Sequence, residues 1–500
     1  MDATTGSGPL HGLDDIDWRG LAPRGEEIPD LLRDIAVGEN TERKAERTVD
    51  DAVAALFDII RFPSPSYTAA PRVADFLVSI ACDPGTPAEW RSRPLSLLLE
   101  LLVPSATTCV PQRGDDSLWR DEIAWASGTD SEKVREQYRA WALEAPDEQQ
   151  FRKMRVRVDA AARDDGAALL EAELGVYDAV LARTADLLTL LDGRDNRRGI
   201  DPPAEWACYV LAFLPGAAAE AYPRLLRNAG RPQDLSRPSA SSDPYAAARQ
   251  MAHGAALPAE EPADDLLSAE LFALGMLAPA DDPAVTVSLA HEMASGHLYN
   301  SFAAAVAMVQ IHGEKAPQEC FTRIARGGRT KPGYRGLFGD AWPHCGETPP
   351  EALGFLALGR AGGRGLAERL AVLPDALAGA EGAVRADVAG AALEAVMGPR
   401  AAVEEAADPS AEFDEDTLKV LWELAELPPQ AWEDSALGAT VGAWGLPEDR
   451  DDFRAFAGAD DDSPDEGGAV PNGSAGSPAA PQSGQPQPGG LLGRLFGGGR

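Results

Sequence analysis

From Glu26 to about Gly458 apolar residues recur three and four positions apart, in short segments rich in Ala, Leu, Glu and Arg that Pro, Gly or Asp interrupt. That spacing places the apolar side chains on one face of an α-helix and predicts a chain of amphipathic helices. Strand-like alternation is nearly absent. In "IPDLLRDIAVGENTERKAERTVDDAVAALFDII", Ile28, Leu31, Leu32 and Ile35 form one stripe, and Val49, Val53, Leu56 and Phe57 form the next. Between them "VGEN", with Thr41 as the expected N-cap and charged residues after it, reads as a helix-to-helix corner. Neither helix of such a pair can bury its stripe alone.

Similar pairs recur in "AAPRVADFLVSIACDPGTPAEWRSRPLSLLLELL", in "GVYDAVLARTADLLTLLDGRDNRRGIDPPAEWACYVLAFLP" and again in "ADDLLSAELFALGMLAPADDPAVTVSLAHEMA". Helix pairs of roughly 35 to 50 residues joined by Asp/Pro/Gly corners suit a stacked α-solenoid, in which each unit covers its neighbour's open face. A large irregular helical bundle would use the same stripes. The predicted class is all-α, a HEAT-like α-solenoid of stacked helical hairpins with a disordered C-terminal tail.

Particular residues carry a family resemblance. Ile28, Pro29, Leu31, Leu32, Leu56, Tyr67, Ala70, Val73, Phe76, Leu77, Asp83, Pro84, Thr86 and Pro87 follow a "[IV]-P-x-LL … A-L-x-x-L … Y … A-x-P-x-[LV] … D-P-x-T-P" order. That order resembles the opening of a broad group of bacterial HEAT-repeat proteins, and Ala207, Tyr209, Leu211 and Ala212 resemble the inner helix of a later unit. "FPSPS" from Phe62 to Ser66 stands where the group commonly carries "H-Q-G-T". The resemblance covers about the first 230 residues clearly. It implies a fold and a habit of binding other proteins, since HEAT repeats share no common active site.

Composition shifts mark the boundaries. The expected parts are a flexible lead over 1–25, a HEAT-like array over 26–226, a polar Pro/Ser-rich loop or insertion over 227–265 and a second helical array over 266–458. An acidic, then Gly/Pro/Ser/Gln linker over 459–490 is too poor in apolar residues to order itself, and a short amphipathic peptide over 491–500 completes the chain.

Charge narrows the partners. With 45 Lys+Arg against 80 Asp+Glu the formal net charge is −35, which repels nucleic acid and anionic membranes and favours a basic protein. A plainer reading is that the acid excess keeps an Ala-rich protein in solution. The five cysteines are scattered without a CxxC pair, the start of the chain lacks a leader-like apolar run, and no stretch approaches a membrane span. A cytoplasmic protein with reduced thiols and no stable membrane insertion is expected.

No string makes a convincing reaction centre. In "HEMASGH" the two His are six apart, about 240° around a helix, where a zincin needs four. His312, His344 and Cys345 add no ligand cluster at fixed spacing. "GRAGGRG" lacks the strand and the Lys-Ser/Thr pair of a phosphate loop. The basic segment from Arg323 to Gly336 reads as a solvated loop or as a contact for an acidic partner or RNA. The chain is therefore expected to be no enzyme and to need no cofactor or metal. A HEAT-like enzyme such as a base glycosylase or bilin lyase is the less favoured alternative. An immunity-like protein or inhibitor that neutralises a basic toxin or nuclease is the nearer one.

Two places are candidate partner surfaces. Trp119, Trp125, Tyr138 and Trp141 stand in an otherwise highly charged segment, where they are either core anchors or the aromatic centre of a binding face. Leu491, Leu492, Leu495 and Phe496 would share one face of a short helix, with Arg494 opposite. So short a helix cannot pay its nucleation cost in water and needs a groove to receive it.

Overall fold

The computed structural model describes residues 8–37, 48–103, 116–145, 148–192, 202–229, 265–294, 298–327, 348–399, 413–433 and 436–459. Every regular element among them is helical, and none is a strand. In chain order the first helices are α1 (Trp18–Leu21), α2 (Ile28–Val37), α3 (Val49–Ile60), α4 (Ala70–Cys82) and α5 (Ala88–Leu102). Three more helices follow: α6 (Asp116–Ser127), α7 (Ser131–Leu143) and α8 (Glu148–Ala161). Then come α9 (Gly166–Leu181), α10 (Thr184–Thr189), α11 (Pro202–Ala212) and α12 (Ala218–Ala229). The later helices are α13 (Asp265–Leu277), α14 (Pro283–Ala294), α15 (Leu298–His312), α16 (Gln318–Gly327), α17 (Pro350–Leu358), α18 (Leu366–Gly379) and α19 (Gly382–Met397). Last are α20 (Glu415–Ala425), α21 (Pro429–Glu433), α22 (Leu437–Gly442) and α23 (Arg450–Phe456).

The stripes read from the sequence face inward. Ile28, Leu31, Leu32 and Ile35 of α2 are buried, as are Val49, Val53 and Leu56 of α3. The start of α3 is fixed by a capping box, in which the Thr48 hydroxyl accepts from the Asp51 amide and the Asp51 carboxylate accepts from the Thr48 amide. Thr41, the cap expected from the sequence, lies outside the described residues.

Packing runs in two rows. In one, α3 touches α5, α5 touches α11, and the row continues through α13, α15, α17 and α19. In the other, α2 touches α4, followed by α10, α12 and α14, and further on α16 touches α18 and α18 touches α20. One continuous apolar core runs between the rows from Leu13 to Ala459. Within the first row, α13 and α15 come close at Gly275, where an added Cβ would lie 2.8 Å from Ala307 Cα.

Within the lead read from the sequence over 1–25, the residues from Gly8 onward are described and pack on the main core. Leu13, Trp18 and Ala22 join the main core, the Trp18 indole donates to the Leu13 carbonyl at 2.9 Å, and its ring packs 6.1 Å from that of Phe76. The cost of ordering this segment is offset by burying a whole indole.

The helices α6, α7 and α8 stand outside both rows and enclose a second, smaller core with α9. α8 packs on α9 and also touches α19, so this three-helix segment meets both the early and the late part of the stack.

Candidate functional site

The sequence-predicted aromatics fall into that three-helix segment. Trp125, Tyr138 and Trp141 form a mutual cluster, with ring centroids 5.9 Å apart for Trp125 and Tyr138, 5.4 Å for Trp125 and Trp141, and 5.6 Å for Tyr138 and Trp141. Tyr138 is buried while both indoles stay half-buried. Trp119 is separate. It packs edge-on against Tyr177 of α9 at 5.5 Å, beside Arg120, whose guanidinium sits 5.6 Å over the same ring and pairs with Asp178 and Asp116. Most of this aromatic area therefore anchors helix to helix. Leu491, Leu492, Leu495 and Phe496 lie outside the described residues.

Beneath the aromatics is a buried charge cluster that takes one residue from each of four helices. Arg157 of α8 is only 2% exposed. Its Nε lies 2.6 Å from Glu122 Oε1 of α6, an ion pair by distance although the N–H is not aligned for a hydrogen bond. Its Nη1 donates to Glu173 of α9. From α7, the Tyr138 hydroxyl donates to Glu122 Oε1 at 3.1 Å. Burial works against the Arg157 charge, but Glu173 and Glu122 outweigh it and hold the guanidinium above its usual range. Burial likewise pushes the Tyr67 phenol up, with Glu173 adding to the effect. Lys153, exposed as a residue, has its ammonium pushed down by desolvation and then by the Arg157 charge.

Sequence reasoning passed over these charges, yet a signal was present. Arg157 sits three after Met154 and four before Ala161, on that helix's apolar stripe, and Glu173 sits three before Val176 and four before Tyr177. A charge on an apolar stripe at helical spacing is buried with its partners or expelled.

Above this core the segment leaves apolar side chains in water. Leu118 is 76% exposed and Leu143 75%, with Val156 also exposed. Among the described residues the other large exposed apolar side chains are Leu418 and Trp422 of α20. Three of these five belong to α6, α7 and α8, in helices whose remaining surface is strongly charged.

The other candidate strings have structural roles where they are described. In "GRAGGRG", Gly362 adopts φ +55° and Arg364 reaches across to the carbonyl of Glu314 at 2.6 Å while stacking 5.5 Å over Phe321, tying the turn after α15 to the turn before α18. His291 lies exposed in the last turn of α14, His312 Nε2 meets Thr286 Oγ1 at 3.0 Å, and His297 lies outside the described residues. No three His, Cys, Asp or Glu among the described residues are grouped to hold a metal ion, and no described helix is long and apolar enough to cross a membrane. Comparison with protein-family models, with curated proteins and with solved structures returns no match.

Proposed function

We propose that the chain is a non-catalytic protein-binding scaffold or adaptor, a HEAT-like solenoid that engages a basic protein partner through α6, α7 and α8. The observation that carries this is the exposure of Leu118 and Leu143 on a charged three-helix segment that stands outside both rows of the stack. Large apolar side chains held in water among charges are what an interface centre with a polar rim requires. The half-buried Trp125 and Trp141 of the same three helices offer aromatic area of the kind that dominates binding energy. A net charge of −35 supplies the attraction for a basic partner. The same charge supports the narrower reading of an inhibitor that neutralises a basic toxin or nuclease.

The test compares proteins retained by the full chain with those retained by a Leu118→Ser/Leu143→Ser variant, at low and at high salt. The expected outcome is a basic partner that is lost both at high salt and in the variant. Retention of the same partner by the variant would remove α6, α7 and α8 from the interface, and retention of acidic partners would sink the charge argument.

A further inference from the structure

A second apolar site sits at the far end of the stack. On α20, Leu418 is 50% exposed and Trp422 42%, four residues apart and so on one face of the helix. Glu415 and Glu426, three residues before and four after this pair, continue the same stripe, and both are exposed. The helix faces water with an indole and an isobutyl group bracketed by carboxylates. Further acid lies on its flank: burial pushes the Glu423 carboxyl up, Lys419 opposes that, and the lesser charges of Asp375 and Glu426 add to it. An occupant must therefore bring apolar bulk together with positive charge.

The segment Leu491–Arg500 has that chemistry. Leu491, Leu492, Leu495 and Phe496 take positions i, i+1, i+4 and i+5, and Arg494 and Arg500 are its only charged side chains. The stretch that directly precedes α20, residues 400–412, offers the opposite, with Glu404, Glu405, Asp408 and Glu412 against Arg400 and no aromatic.

The route is short as well. α23 packs on α20, and Arg454 of α23 donates to the Ala425 carbonyl at the end of α20 (3.0 Å), to Glu426 (3.1 Å) and to the Ala459 carbonyl (2.9 Å). One guanidinium thus touches both the end of α20 and the last described residue, from which the remaining chain departs. Trp422 and Leu418 lie three and seven residues back along α20, about 5 and 10 Å at helical rise. Residues 460–490, rich in Gly, Pro, Ser and Gln, reach on the order of 30 Å by random-coil scaling, well beyond that distance.

We infer that the segment Leu491–Phe496 docks on the Leu418/Trp422 face of α20 of its own chain, with Arg494 and Arg500 toward the surrounding carboxylates. The tether makes this binding intramolecular, at an effective concentration in the millimolar range, so a modest apolar contact is occupied most of the time. Docking orders a segment too short to be helical alone.

Hydrogen–deuterium exchange on the full chain tests this. The amides of 491–496 should exchange at least about tenfold more slowly than their sequence dictates, and Leu418→Ser/Trp422→Ala should abolish that protection while the protection of α13 and α15 stays unchanged. Protection should be the same at high and low protein concentration and should fall as salt rises. Unprotected amides in the unsubstituted chain would overturn the proposal, and so would protection that survives the double substitution. Protection lost on dilution would assign the face to a second copy. A change confined to residues 328–347, the other basic and aromatic stretch, would assign it to that segment instead.

Discussion

Replacing Arg157 with Met removes the guanidinium that pairs Glu122 and Glu173 in the small core and leaves Lys153 as the cation near them. Removing one partner of a buried ion pair costs about 3–5 kcal/mol, because the remaining charge has lost its water and gains nothing in return. Here two carboxylates are stranded by one substitution, and Arg157 is 2% exposed, so little solvent can enter to relieve them. The loss should concentrate in α6, α7 and α8, which enclose their own core. Native-state hydrogen exchange reads that region directly. Amides of these helices should lose protection by on the order of a hundredfold to several thousandfold, at 1.36 kcal/mol per factor of ten. The triple variant Glu122→Gln/Arg157→Met/Glu173→Gln should recover most of the loss, since it strands no charge. A single-variant loss below tenfold, or a triple variant as unstable as the single one, would refute the reasoning.

Two other substitutions probe the stack. Burial raises the Glu100 carboxyl from 4.5 to about 7, so the folded chain binds the extra proton between those values and its stability falls as pH rises across that window. Glu100→Gln should flatten that slope in urea-unfolding midpoints measured from pH 4.5 to 7 and should stabilise the chain above pH 7, by up to about 3 kcal/mol; an unchanged slope would locate the pH dependence elsewhere. Gly275→Val forces α13 away from α15, because even a Cβ would lie 2.8 Å from Ala307 Cα. A loss of about 1–3 kcal/mol is expected by thermal melting, and a variant as stable as the parent would mean that the two helices can slide apart freely.

Helix positions and inward faces were legible because they follow from periodicity, which α2 and α3 display without interruption. Proline was the misleading signal. Read as a break, it nonetheless lies inside α5 at Pro94, inside α12 at Pro223 and inside α18 at Pro374. A proline gives up one backbone hydrogen bond and strains a turn, a local cost of about 3 kcal/mol that burial of a long apolar face can exceed. Which helices meet was less legible, since two rows, and a three-helix segment placed outside them, follow from contacts between residues far apart in sequence. The aromatic group was half legible. Sequence grouped Trp119 with Trp125, Tyr138 and Trp141, but Trp119 packs on Tyr177 of α9 while Trp125 meets Tyr138 and Trp141 of α7, for a helix turns about 100° per residue and six residues set the two indoles about 120° apart around α6.

Charge and apolar grip should also separate in time at the proposed docking face. Net charge acts before contact: it raises the encounter rate with a basic partner over distances set by ionic strength, and is screened beyond about 8 Å at physiological salt. Leu118 and Leu143 act after contact, because they lose water only once the partner covers them. Raising salt should therefore slow association with a smaller effect on dissociation. Leu118→Ser/Leu143→Ser should speed dissociation, leaving the association rate within about threefold. Each side chain of this size contributes roughly 1.5–3 kcal/mol when fully buried, so even half-burial of both predicts dissociation at least about tenfold faster. Surface plasmon resonance with the captured partner resolves the two rates. Faster dissociation with salt but not with the double substitution would mean that the partner holds on to charge alone and that the two leucines lie outside the contact.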